Sequence, residues 1–161
     1  MTPEKGLLEL THKWPEGQPL TIIGDGPQSA EIREAAAGRD IKVQSSVSRD
    51  ELRALLPEFL GLVFPSRWAE VAPQVVVEGM RVGLPIVALE LNGVTEVVAE
   101  SGAGRIYSDA ASLATALQDV TVNCNHLSLR AVDHYSATWR PEVWLTAMER
   151  IYAEITAGYA S

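Results

Sequence analysis

Short runs of apolar, β-branched residues recur about every 20 to 25 positions along this chain, and a longer amphipathic stretch follows each of them. That alternation is the pattern of strand, helix, strand units. The runs Leu20–Ile23, Ile41–Gln44, Leu60–Phe64, Pro85–Leu89 and Arg105–Tyr107 read as strands. A connection long enough to hold a helix demands parallel neighbours and a right-handed crossover. The runs Gly-Leu-Val-Phe and Pro-Ile-Val-Ala-Leu are apolar at successive positions, as strands buried on both faces are. The expected fold class is therefore α/β, a Rossmann-like doubly wound parallel sheet. Such sheets bind ligands beyond the carboxyl ends of their strands. The residues that follow Ile23, Gln44, Phe64 and Leu89 are thus the places to look for chemistry.

The helices expected between the strands are Glu4–His12, Gln28–Ala37, Ser48–Leu56, Pro73–Arg81, Asp109–Gln118, Asn125–His134 and Pro141–Ala157. Ser48 with Glu51 three residues on reads as a capping box, and Pro57 ends that helix. Pro73 suits a first helical turn. Gly38 and Gly83 serve as stops.

Composition removes several classes of function. The chain has 161 residues, enough for one domain with a real core. Thirteen basic residues against 21 acidic ones give a net charge of −8, with no basic block, which argues against a nucleic-acid partner. No apolar run approaches the roughly 18 residues of a membrane span. The opening Met1-Thr2-Pro3-Glu4-Lys5 lacks a secretory pattern. Cys124 is the lone cysteine, so no internal disulfide is expected and a reducing, cytoplasmic setting fits. His12, His126, His134 and Cys124 do not make a metal-ligand spacing, so no metal site is expected.

Two stretches carry the candidate chemistry. Gly24-Asp25-Gly26-Pro27 follows the first strand, and its glycines permit close backbone approach to a ligand. Ser29 stands where a dinucleotide fingerprint needs its third glycine, and the second strand ends without an acidic ribose ligand, so NAD is disfavoured. The second stretch, Phe64 to Ala88, puts Glu70 in the loop after a strand and Glu78 on the next helix, with seven residues between them. Eight helical steps span about 12 Å, too far for one shared proton transfer. The pair reads either as a solvated face or as two grips on an extended polar ligand. A helix N-terminus lies between them and favours an anion. Carboxylates accept hydrogen bonds from sugar diols. Glu78 sits among valines, and a buried carboxylate without a partner is costly. Asn92-Gly93 reads as a simple turn or as a pocket-lining loop. Trp68 reads as packed and Arg67 as solvated.

Taken in order, Lys5-Gly6, Gly24-Asp25-Gly26-Pro27, Phe64-Pro65-Ser66, Glu70-x7-Glu78, Gly83-x-Pro85-Ile86-Val87-Ala88, Asn92-Gly93-Val94-Thr95-Glu96 and Ser101-Gly102-Ala103-Gly104 resemble one family. They look like the C-terminal, donor-binding half of a GT-B glycosyltransferase of family GT4, the group 1 glycosyl transferases. The resemblance covers about residues 4 to 118. It implies that Glu70 contacts the donor sugar, Glu78 the ribose hydroxyls and Lys5 the diphosphate. Gly24, Gly26, Pro27, Asn92 and Gly93 are implied to line the nucleotide-sugar site, and backbone near Gln44 to Val47 to meet the base. The implied substrate is a nucleoside diphosphate sugar (UDP-, GDP- or ADP-sugar). The implied reaction is a metal-free, retaining transfer of the sugar to an acceptor that the residues do not specify.

Family members have two similar domains, and the resemblance begins just before the Lys-Gly motif. A missing N-terminal domain is therefore expected, with little transferase activity from these residues alone. The last helix, about Pro141 to Ala157, is expected to pack toward that domain. Without it, the face carrying Trp139, Trp144 and Tyr152 is expected to expose apolar area and to favour self-association. A parent enzyme on the cytoplasmic membrane face is compatible with this. The chain has Val71-Ala72-Pro73 where the family commonly has Phe-Gly, and Pro73 supplies no N–H. The alternatives are a nucleotide-binding module without turnover, or half of a GT-B-like sugar-nucleotide epimerase.

Overall fold

A computed structural model describes residues 1–68, 70, 73–90 and 93–159. Strand β1 (Leu20–Ile23) pairs in parallel with β2 (Ile41–Gln44), and Leu20 lies opposite Ile41. Strands β3 (Leu62–Phe64), β4 (Ile86–Leu89) and β5 (Gly104–Tyr107) form a second parallel ladder with β4 in the centre. Its register sets Phe64 beside Ala88 and Ala88 beside Ile106.

The helices are α1 (Leu7–Lys13), α2 (Ser29–Ala36), α3 (Arg49–Leu55), α4 (Gln74–Arg81), α5 (Val94–Ser101), α6 (Ala110–Val122), α7 (Cys124–His134) and α8 (Pro141–Tyr159). The strand period of two shows directly in β4. Ile86 and Ala88 belong to a cluster with Phe64, Val76, Met80, Val94 and Val98, drawn from β3, α4 and α5. Val87 instead packs with Leu10, Trp14, Leu113 and Val120, from the α1 and α6 side. Helices therefore cover both faces of the central strand, as a doubly wound sheet requires. Helix α7 touches both layers, Leu127 in one cluster and Ala131 in the other. Leu20 and Ile41 pack against the same cluster as Val63 and Leu89, so the two ladders share one core layer.

Several local expectations change. The helix expected from Glu4 to His12 breaks at Gly6: a 3-10 turn spans Pro3–Lys5, and α1 starts at Leu7. Gly6 has φ 67°, and the Pro65 carbonyl oxygen fills the place a Cβ would take, so only glycine fits there. Strand β3 begins at Leu62 rather than Leu60. Pro73 is the N-cap of α4 with extended ψ of 124°, not its first turn. Helix α5 was not foreseen, because its acidic, valine-rich sequence carries no strong start signal. A π-turn at Tyr135–Trp139 links α7 to α8 and was not anticipated either. The Ser48–Glu51 capping box is present: Glu51 N donates to Ser48 Oγ at 3.2 Å, and Ser48 N donates to Glu51 Oε2 at 2.8 Å. No helix among the described residues is long and apolar enough to cross a membrane.

Candidate functional site

Strand β3 delivers the loop Pro65–Glu70 to the carboxyl edge of the sheet. Ser66 is buried at 1% exposure, and its hydroxyl accepts from Trp68 N at 3.3 Å while donating to Glu70 Oε1 at 3.1 Å. The same Glu70 oxygen receives Lys5 Nζ at 2.6 Å. This meeting across 65 residues depends on Gly6, whose missing side chain lets the 3-10 turn rest on Pro65. Arg67 ties the loop down further. Its N–H donates to the Glu4 carbonyl at 2.8 Å, and its guanidinium pairs with Glu9 on α1. Arg67 is thus an anchor as well as a solvated charge, with its side chain 54% exposed. Trp68 is not packed but 64% exposed, while Ser66, Arg67 and Glu70 hold the loop through their own bonds.

Glu9 also accepts from Lys13 at 2.6 Å, and that bond, aided by Arg67, holds its carboxyl below the usual carboxylate range. Tyr107 lies close by. Burial pushes its phenol above the ordinary tyrosine value, and the Glu9 charge adds to the shift.

Glu78 lies on α4, one turn after Gln74, with its side chain 14% exposed. The partner that its burial calls for comes from α3. Arg49 Nε donates to Glu78 Oε1 at 3.0 Å, and Arg49 Nη2 donates to Gln74 Oε1 at 3.3 Å. Arg53, one turn further along α3, brings Nη2 to 3.7 Å from the same Glu78 oxygen. The sequence reading missed both arginines. Their spacing of four on one helix was the available signal, but nothing local says which helix that face meets.

The Gly24–Pro27 loop sits at the carboxyl end of β1. Gly24 N extends the ladder by donating to Gln44 O at 3.1 Å. Gly26 has φ 158°, and Met1 backbone occupies the space a Cβ would need. Met1 N donates to Asp25 O, and Gln28 N donates to Met1 O at 3.2 Å. The segment from Met1 to Lys5 thus runs from the glycine loop to Glu70. Pro27 is exposed in the turn before α2. Asp25 reaches the loop after β2, where its Oδ2 accepts from Ser46 N at 2.7 Å and from the Ser46 hydroxyl. Those bonds hold its carboxyl below the usual range.

Gly93 is the N-cap of α5 with φ −62°, an ordinary conformation for any residue. Asn92 lies outside the described residues. Of the expected site residues, the structure joins Lys5 directly to Glu70. It places Glu78 in a separate ion cluster, Gly24 and Gly26 beside Met1, and Pro27 exposed in the turn that follows. A surface depression of about 300 Å³ borders this region, lined by Pro3, Gly6, Glu9, His12, Lys13 and Gln28 among others. Another of about 330 Å³ lies between β5 and α6. Neither is lined by Glu70 or Glu78. Among the described residues no group of three or more His, Cys, Asp or Glu side chains is arranged to hold a metal.

Comparison with known proteins bears on this arrangement. The family model described as glycosyl transferases group 1 matches residues 1–123. A curated relative, the sulfoquinovosyl transferase of Arabidopsis thaliana, is 29% identical over 99 residues, which is 62% of this chain and 19% of that protein. Among solved structures, sucrose-phosphate synthase from Thermosynechococcus elongatus superposes with a TM-score of 0.78 at 22% identity, covering 98% of this chain and 44% of that one. The Anabaena HepE protein, solved in complex with UDP, gives 0.72 at 20% identity, covering 97% of this chain and 46% of its own. The chain therefore spans less than half the length of these structures and about a fifth of the curated relative. These structural likenesses establish the Rossmann-like fold, as one half of the GT-B architecture. With the family match extending over residues 1–123, the chain belongs to the group 1 glycosyl transferases.

Proposed function

We propose that this chain is the donor-binding domain of a retaining glycosyltransferase that moves a hexose-type sugar from a nucleoside diphosphate to an acceptor. The observation that carries the reading is the Lys5–Glu70 contact at 2.6 Å, with Glu78 on the helix that starts just beyond. A cation and a sugar-binding carboxylate in contact match the junction between diphosphate and sugar. As the glycosidic bond to the diphosphate breaks, negative charge grows on the leaving oxygen, and a fixed ammonium stabilises it. The first amides of α4 add the positive end of a helix. Glu70 accepts from donor hydroxyls, and Glu78 from the ribose diol. Gly24, Gly26 and Pro27 border the nucleotide sugar, with Met1 backbone filling the space beside Gly26, and Asn92 and Gly93 border the sugar. No metal takes part in this scheme.

HepE is solved with UDP and with UDP-glucose, which supports a nucleotide-sugar ligand here. The donor is a UDP-, GDP- or ADP-sugar, taken from the cytoplasm. Residues 1–161 act as one domain, and an N-terminal GT-B domain supplies the acceptor side, so the piece alone is inactive. The exposed Trp144, Leu145, Tyr152 and Ile155 of α8 support a contact with that domain. Without it, two copies associate through the same face.

Thermal shift with UDP, GDP and ADP, then with their glucose conjugates, tests the proposal. Stabilisation by one base series, lost in Glu78→Ala, is expected. Stabilisation by none of the six compounds would overturn it.

A further inference from the structure

The arginines of α3 have no place in the scheme above, yet their geometry is directed at Glu78. Arg49 spans one turn of α4, with Nε on Glu78 and Nη2 on Gln74. Arg53 faces the same Glu78 oxygen at 3.7 Å. Both contacts fall on Oε1, which leaves Oε2 as the acceptor of a carboxylate that is still 14% exposed. A carboxylate this enclosed is costly to bury without an opposite charge beside it. Arginine supplies that charge and also fixes orientation, because its planar fork bonds two acceptors at once.

We infer that Arg49 is a positioning and specificity-determining residue: it clamps Oε1 of Glu78 so that Oε2 faces the ribose diol, and so sets the preference for ribonucleotides over their deoxy counterparts. This rests on the reading of Glu78 as the ribose ligand. A carboxylate that only neutralised Arg49 in a structural tie would have no effect on sugar choice. An arginine that competed with ribose for Glu78 would lower affinity, and its removal would raise it. Among the described residues the contacts to Glu78 all fall on Oε1 and none on Oε2, which argues for orientation over competition.

The test uses the 161-residue chain and isothermal titration with UDP, ADP and GDP, each beside its 2′,3′-dideoxy form. The chain is expected to prefer the ribose form of the base it binds by about tenfold or more, the loss of one charge-assisted bond pair. Glu78→Gln should abolish that preference. Arg49→Met should reduce it at least about fivefold while leaving the dideoxy affinity unchanged, as a positioning role demands. Arg49→Lys keeps the charge without the fork and should fall between; it also serves if Arg49→Met melts early. If Glu78→Gln loses the preference and both Arg49 variants keep it, the inference fails while the proposed function stands. Equal weakening of both nucleotide forms, or tighter ribonucleotide binding in Arg49→Met, also overturns it. If no nucleotide binds the unmodified chain, both fall together.

Discussion

Lys5 Nζ stands 2.6 Å from Glu70 Oε1, although 65 residues separate them in the chain. Glu70 holds this cation with one oxygen and takes the Ser66 hydroxyl on the same atom. The ion pair is half in solvent, with Lys5 47% and Glu70 24% exposed. Exposed pairs of this kind contribute about 0–1 kcal/mol to stability. Its value to the molecule is thus positional, holding a cation and an acceptor at one point on the sheet edge.

Lys5→Ala should therefore leave folding almost untouched while weakening diphosphate binding. We expect a loss of at most about 1 kcal/mol in urea unfolding. On the proposed reading, nucleoside diphosphate affinity should drop about tenfold or more, because a charge-assisted contact to phosphate would be lost. Comparable affinities in calorimetry would show that Lys5 does not meet the phosphates.

Gly26→Ala should act on structure first. The glycine has φ 158°, and a Cβ would collide with Met1 backbone. Strain of this kind costs about 1–3 kcal/mol. The lost contact of Met1 with the loop should raise amide exchange at Gln28, whose N–H now bonds Met1 O at 3.2 Å. Unchanged exchange at Gln28 would mean the loop tolerates the side chain.

The central strand should be the most sensitive part of the core. Ile86 is fully buried at 0% exposure, between residues of β3, β5 and α4. Ile86→Ala should cost about 2–5 kcal/mol, whereas Leu145→Ala on α8, where the side chain is 51% exposed, should cost well under 1 kcal/mol, about the size of an ordinary surface change. Chemical denaturation of the two variants side by side checks the contrast.

Acid should loosen the tie between the loops after β1 and β2. The Asp25 carboxyl is held below its ordinary value, first by the Ser46 hydroxyl and then by Ser46 N–H. A depressed carboxyl contributes stability above its unfolded value, and that share is lost as pH falls through its folded value. Below about pH 4, then, part of the acid sensitivity belongs to Asp25. Asp25→Asn should flatten the stability curve over that range. An unchanged slope would assign the acid response to other carboxylates such as Glu9, which is also held low.

The apolar face of α8 should show itself in the oligomeric state. Trp144 and Tyr152 are 60% and 61% exposed, while Trp139 is half-buried at the π-turn. Sedimentation velocity should show association rising with concentration, and a Trp144→Glu, Tyr152→Glu variant should run as a monomer. A clean monomer of the unmodified chain at all concentrations would count against this.

Much of the architecture could be read from residues alone. Strand positions, helix existence and the Ser48 cap depend on contacts within a few residues, and the alternation of Ile86, Val87 and Ala88 between two faces follows from strand period. The order of short motifs was likewise enough to recognise the family. What residue order could not supply is which charge meets which. Lys5 and Arg49 are ordinary exposed cations in the sequence; the first reaches Glu70 because Gly6 admits the Pro65 carbonyl, and the second reaches Glu78 because α3 lies against α4. Such pairs span 65 and 29 residues, and their partners are selected by packing of the elements that carry them, a free-energy balance over the whole core that no local window contains.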